Sequence, residues 1–155
     1  MATAPTTFVT GVDAADIIHI SEVRAELEAQ AAELAARRMA PDLRERAEAM
    51  LESVRELERA TETDELMALD ESIHRLIWDG SRNPYLAETL ERYFTHSLRI
   101  WYLVLNRVPT LGHSVHDQTQ LLEAIIDRNG THARTIMREH VLAFQREILT
   151  AFSRT

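Results

Sequence analysis

The sequence contains no cysteine, which excludes disulfides and thiolate metal sites from its stability and chemistry. It has no apolar run of about 18 residues, the length a helix needs to span a bilayer. Its first residues do not form the basic-then-apolar pattern of a secretory signal, so the expected setting is cytoplasmic, with no membrane partner. The formal net charge is −8, leaving no overall basic field to draw the chain onto nucleic acid; wrapping a phosphate backbone by itself is excluded. Glycine and proline number only four each. No glycine-rich phosphate loop, serine-nucleophile motif, internal repeat or low-complexity block is present.

What the chain has is helix-forming material. The 155 residues, 45% of them hydrophobic, suit one domain that can bury roughly 70% of its unfolded-chain surface. They are rich in Ala, Leu, Glu and Arg, which lose least on entering a helix. An all-α fold is expected, an antiparallel bundle of about six helices with short connections and one core. Residues 1–11 lack helical periodicity and carry the short β-prone run Thr6-Thr7-Phe8-Val9-Thr10. From about Asp13, the residues Ile17, Ile20, Val23, Arg24, Leu27, Ala31, Leu34 and Ala35 recur at helical spacing as far as Met39-Ala40-Pro41. Pro41 cannot continue that helix and suits the first turn of the next, which is expected to reach about Ala60 with a charged, solvated outer face. Thr63 is the expected N-cap of a third helix closing at Gly80, a fitting left-handed C-cap. Asn83-Pro84 launches a fourth helix through about Arg107, Ser114 opens a fifth, and Thr131 caps a sixth that reaches the C-terminus.

Within the third helix, Asp70 and His74 stand one turn apart, so carboxylate and imidazole project from the same face and can close on one cation or one polar ligand. Leu66, Leu69, Ile73, Leu76 and Ile77 form the apolar stripe, and the pair lies beside it rather than opposite. In the sixth helix His140 lies beside Met137, Val141 and Phe144, where an imidazole is either hydrogen-bonded in the core or a ligand; spacing leaves both readings open. His19, His96, His113 and His132 fall at helix ends or polar faces and read as surface residues.

Taken in order, Glu22-Val23-Arg24-Ala25-Glu26-Leu27-Glu28, Asp70-x-x-x-His74, Asn83-Pro84-Tyr85-Leu86, Leu121-Leu122-Glu123-Ala124-Ile125, Ala133 and His140 resemble the FCD domain. This is the helical effector-binding and dimerisation domain of FadR-type GntR transcriptional regulators. The resemblance covers about residues 17–147, and the ordered set is what makes it specific. Many members hold a divalent metal through an Asp and three His and use it to capture a small carboxylate-bearing metabolite. The resemblance therefore implies Asp70, His74 and His140 as metal ligands for an ion of the zinc or nickel class. At the remaining ligand position this sequence has Gln118, 22 residues before His140 as in the family. A carboxamide oxygen is a weaker transition-metal ligand than imidazole, so affinity or selectivity should differ. His116 is the alternative donor, but two residues along a helix point about 200° away.

Arg24 matches the family's first-helix arginine, and a guanidinium inside an apolar bundle needs an anion. A metabolite carboxylate would satisfy it, as would an ion pair with Glu28 or Glu123. Arg99 and Tyr102 are the further expected effector-binding residues, with Trp101 in the core. Thr7-Phe8-Val9-Thr10 resembles the last strand of the family's winged-helix wing, with residues 12–155 forming the FCD-like domain. The resemblance implies a homodimer that senses a carboxylate metabolite and acts on operator DNA only through a winged-helix domain not present in the sequence. Two other readings stand beside it: a small metal-dependent enzyme, for which no general base is evident, and a purely structural dimerisation bundle.

Overall fold

The computed structural model describes residues 13–57, 63–104 and 112–153. Six α-helices are found among them: α1 (Ala14–Arg37), α2 (Pro41–Leu57), α3 (Thr63–Gly80), α4 (Pro84–Val104), α5 (Gly112–Ile126) and α6 (Gly130–Ser153). The tail resembling a wing strand lies outside the described residues, as do the expected ends of α2 near Ala60 and of α4 near Arg107.

Four of the starts have a local cause. Asp13 caps α1 through a reciprocal box, accepting from the Asp16 amide at 2.9 Å while Asp16 accepts from the Asp13 amide, so two backbone donors without helical partners are satisfied together. Pro41 opens α2 and Pro84 opens α4; the Asn83 side chain accepts from the Leu86 amide. At α6 the cap is Asn129, whose side chain accepts from the His132 amide at 3.1 Å, not Thr131. The helix thus starts earlier than expected because an Asx side chain reaches the N3 amide from there. Helix α5 likewise starts ahead of Ser114, at Gly112.

The end of α3 corrects a second expectation. Gly80 is the last residue of the helix, and the left-handed residue that turns the chain is Arg82, with φ 55°. The glycine serves packing: a Cβ there would lie 2.6 Å from Leu43 Cδ2 and 3.1 Å from Ala35 Cβ. The close approach of α1, α2 and α3 at this corner requires the missing side chain.

Helix α1 is the axis of the bundle, in contact with α3, α4, α5 and α6. Ala25, Ala29, Ala31, Ala32, Ala35 and Ala36 are all buried, because a helix covered on several sides gains close backbone approach from small residues. Val23, placed by spacing in its apolar row, is instead 40% exposed. The main core joins Ala25, Ala31, Ala32, Ala35 and Ala36 to Leu43, Leu51 and Val54 of α2, Ile73 and Ile77 of α3, Leu90 and Phe94 of α4, Leu121, Leu122 and Ile125 of α5, and Met137 and Val141 of α6. A smaller cluster at the other end holds Ile17, Met67, Ile100, Trp101 and Ile148, with Trp101 buried as expected and stacked near Phe144 at 4.8 Å between ring centroids. No helix among the described residues is long and apolar enough to cross a membrane.

Candidate metal and effector site

Four helices bring polar side chains to one point inside the bundle, and a fifth packs an aromatic ring against them. Asp70 and His74 come from α3, His140 from α6, Gln118 from α5 and Arg24 with Glu28 from α1, while α4 supplies Phe94 beside the His74 ring at 4.9 Å. The apolar stripe of α3 turns Leu69, Ile73 and Ile77 into the core, and the half-turn beside that stripe carries Asp70 and His74 to its edge.

Asp70 is the centre of the group. Its Oδ1 accepts from Gln118 Nε2 at 2.7 Å and lies 3.1 Å from His140 Nε2, while Oδ2 is 3.5 Å from His74 Nε2. One donor atom from each of Asp70, His74 and His140 falls within 4.8 Å of the other two, a spacing that a single cation can bridge. His74, His140 and Gln118 are all buried. The structure thus brings together all four residues named as metal ligands.

Charge explains how such groups remain ionised inside a core. Burial alone would raise the Asp70 pKa, but the neighbouring His74 and His140 imidazoles and the Gln118 amide outweigh it and leave the carboxyl well below the usual carboxylate range. Burial would lower His140, yet its hydrogen bond and charge interaction with Asp70 raise it above the ordinary imidazole value.

Sequence reasoning named Glu28 only as one candidate partner for Arg24. It is a completely buried carboxylate that accepts from Arg24 Nη2 at 3.2 Å through Oε1 and from Trp78 Nε1 at 2.9 Å through Oε2. His74 Nδ1 is 3.1 Å from the same Oε2, although the alignment falls short of a straight hydrogen bond. Burial opposes ionisation here too, and His74, Arg24 and Trp78 overcome it, lowering the Glu28 pKa. The available signal was spacing: Arg24 and Glu28 lie one turn apart on a helix buried on several faces. Arg24 accordingly pairs with Glu28, not Glu123, whose partner is Arg55. It also lines the cavity, with its guanidinium over Phe94 and its Nε buried without a partner.

The cavity is walled by Arg24, Asp70, His74, His140, Phe94 and Phe144, together with Met67, Ser97, Leu98 and Val141. The cavity is small, about 20 Å³, which suits an ion or a water; a metabolite requires the walls to part. Arg99 and Tyr102 do not line it. Arg99 is exposed and Tyr102 is 61% exposed, because the inward face of α4 runs through Leu90, Phe94, Ser97 and Trp101, and both residues rotate away from that line. His116 also points outward, pairing with Gln120. His19, His96 and His132 are exposed as expected, and the side chain of His113 lies outside the described residues.

Gln118 Oε1 is buried with no hydrogen-bond partner, an uncommon and costly condition for an amide oxygen. Turning the carboxamide over would bring that oxygen against Asp70 Oδ1, where two acceptors repel unless a cation lies between them. Two imidazoles and a carboxylate within reach of one point, with the Gln118 carboxamide beside them, fit a divalent metal ion.

These features define an all-helical bundle closed around a polar, ion-competent pocket. The FCD domain family matches residues 19–143, and the chain belongs to that family. FCD domains are the effector-binding regulatory domains of GntR-family transcription regulators rather than enzymes, and they can bind metals. No curated protein matches the chain in sequence. Among solved structures, E. coli McbR/YncC is similar over 99% of this chain and 73% of its own, with 17% identity and a TM-score of 0.76. The metal-free FCD domain of TM0439 is similar over 93% of this chain and 99% of its own, at 18% identity and a TM-score of 0.75. Streptococcus agalactiae GntR shares 22% identity with a TM-score of 0.66 over 84% of this chain and 58% of its own. At these identities the likeness is one of fold.

Proposed function

We propose that this domain senses a small carboxylate metabolite in the bundle cavity, with a divalent metal held by Asp70, His74, His140 and Gln118. The observation that carries the reading is the convergence of three ligand atoms within 4.8 Å of one another on two different helices, at the wall of an internal cavity. The ion would supply a positive centre for one carboxylate oxygen. Arg24, with its unpartnered Nε, would offer the second positive group at the same cavity, although Glu28 already takes part of its charge. Effector entry parts the cavity walls and shifts helix positions, which alters the placement of a winged-helix domain joined to this one. Operator DNA is reached only through such a domain, and the working unit is a homodimer, as is typical for the class.

A specific observation also favours a metal-free variant of this reading. Gln118 and His140 both bond Asp70 Oδ1 directly, so the carboxylate is satisfied without an ion, and the same side chains could then bond the effector themselves. Convergence within a cavity argues against a purely structural bundle. Metal analysis of the purified chain, followed by calorimetric titration with zinc and nickel and then with small dicarboxylates before and after chelation, decides between the variants. Bound metal and chelator-sensitive carboxylate binding support coordination; carboxylate binding unchanged by chelator supports the metal-free pocket. A chain that binds neither metal nor carboxylate defeats both. Sedimentation showing only a 17.7 kDa species at micromolar concentration counts against the homodimer.

A further inference from the structure

A metal-bound imidazole has one nitrogen on the ion and must place its other N–H somewhere; in a core, that second partner decides which nitrogen is free to coordinate. For His74 the surroundings leave little choice. The ring is 2% exposed, with Nε2 3.5 Å from Asp70 Oδ2 and Nδ1 3.1 Å from Glu28 Oε2, a contact close enough for a hydrogen bond though its present alignment does not make one, and Nδ1 has no other partner. Phe94 and Trp78 flank it with ring centroids at 4.9 and 6.3 Å, and neither offers an acceptor of ordinary strength. Glu28 is itself held from both sides: Trp78 Nε1 donates to the oxygen that faces His74, and Arg24 donates to the other. The carboxylate is thus fixed in place before any ion arrives, on a helix different from those carrying the ligands.

We infer that Glu28 is a positioning residue for the metal site, accepting the Nδ1 proton of His74 so that the Nε2 lone pair faces Asp70 and the ion. This rests on the metal reading of the site and extends it to a residue that touches no ion itself. The role makes sense of an otherwise costly arrangement. An Arg–Glu pair buried only for stability is commonly no better than apolar residues of the same volume, whereas one that also orients a ligand has a reason to be retained. It also joins the metal ligand His74 and the anion-seeking Arg24 through one carboxylate.

The test uses zinc alone, read by calorimetry on the wild-type chain and on Glu28→Gln, with circular dichroism confirming the fold. The amide keeps the size of the side chain but weakens the acceptor, and zinc affinity is expected to fall about 10–100-fold. Because the variant can lose its fold with the buried Arg24 left unpaired, a second measurement is made on the wild type. Nitrogen-detected NMR of the zinc-loaded protein should show His74 with a protonated Nδ1 and a metal-bound Nε2. Zinc on Nδ1, or a folded Glu28→Gln variant whose zinc affinity stays within about twofold of wild type, overturns the role of Glu28 while leaving the metal site standing. Absence of zinc binding by the wild type instead overturns the metal reading, and this role with it.

Discussion

Gln118 Nε2, on α5, donates a 2.7 Å hydrogen bond to Asp70 Oδ1 on α3. The contact joins α5 to α3 across the site and leaves the amide oxygen buried and unpartnered. If the site takes a metal as proposed, this amide would have to turn over to present its oxygen to the ion in place of the nitrogen that now bonds Asp70. Part of the binding energy of such an ion would go to breaking the Gln118–Asp70 bond.

Replacing that amide tests this competition. Gln118→His supplies a third imidazole and removes the carboxamide that must turn over, so zinc affinity should rise about tenfold or more. Calorimetric titration of the two proteins under the same buffer is the measurement, and equal affinities would show that position 118 does not coordinate.

His74→Ala and His140→Ala each remove a donor that no neighbouring residue replaces. Both should lower zinc affinity by at least about 100-fold, since a site with only two strong ligands left holds the ion poorly. His116→Ala should leave it unchanged, because that side chain faces outward toward Gln120. Matching losses in all three variants would place the ion elsewhere.

Proton linkage makes the stability of the metal-free protein fall as pH rises above neutrality, a slope that bound zinc should remove. In the metal-free chain the His140 pKa is raised, so its pairing with Asp70 contributes fully below the ordinary imidazole value of about 6.5 and is lost as pH rises through the raised folded value. The Asp70 carboxyl is depressed, and the same interaction is present above the ordinary carboxylate value of about 3.8 and lost as pH falls through the depressed folded value. Zinc must displace the His140 proton, so zinc affinity should begin to fall above pH 6.5 on acidification, at about the raised His140 value. Thermal melts between pH 6 and 9 with chelator, set against melts with zinc, check this. Parallel slopes would show that no proton is exchanged for the ion.

Away from the site, Gly80→Ala should destabilise the fold by about 1 kcal/mol. Overpacking at a corner of this kind costs about 1–3 kcal/mol, and the helix preference of alanine returns about 1 kcal/mol. Leu43 Cδ2 can move, but Ala35 Cβ, 3.1 Å from the new methyl, is tied to the backbone of α1. A fall in melting temperature of about 2–4 °C with unchanged zinc affinity is the expected result. An unchanged or higher melting temperature would mean that the glycine is not required for packing.

Much of the fold was legible because helix periodicity, Pro41, Pro84 and Asn83 act locally. Asp70 and His74 were legible for the same reason, since a separation of four residues on one helix fixes a shared face wherever that helix packs. His140 and Gln118 were named by resemblance, because nothing in the spacing of α5 or α6 says that either residue meets α3. Arg99 and Tyr102 were misplaced because a helix of mixed character such as α4 has its inward line chosen by its neighbours, which selected Ser97 and Trp101. Gly80 was assigned the left-handed turn by residue type, whereas the bundle used it for close approach and gave the turn to Arg82.

By itself the sequence determined six helices, the starts at Pro41 and at Asn83-Pro84, and the acidic, thiol-free chemistry available to them, all of which depend on residue identity and short separations. Only the tertiary structure decided that Glu28 reaches His74 and Trp78 from 46 and 50 residues away, and that Gln118 presents its nitrogen rather than its oxygen to Asp70. The reason is physical: a carboxylate can stay charged inside a core only where donors converge on it from separate elements, and that convergence is a property of how the helices pack.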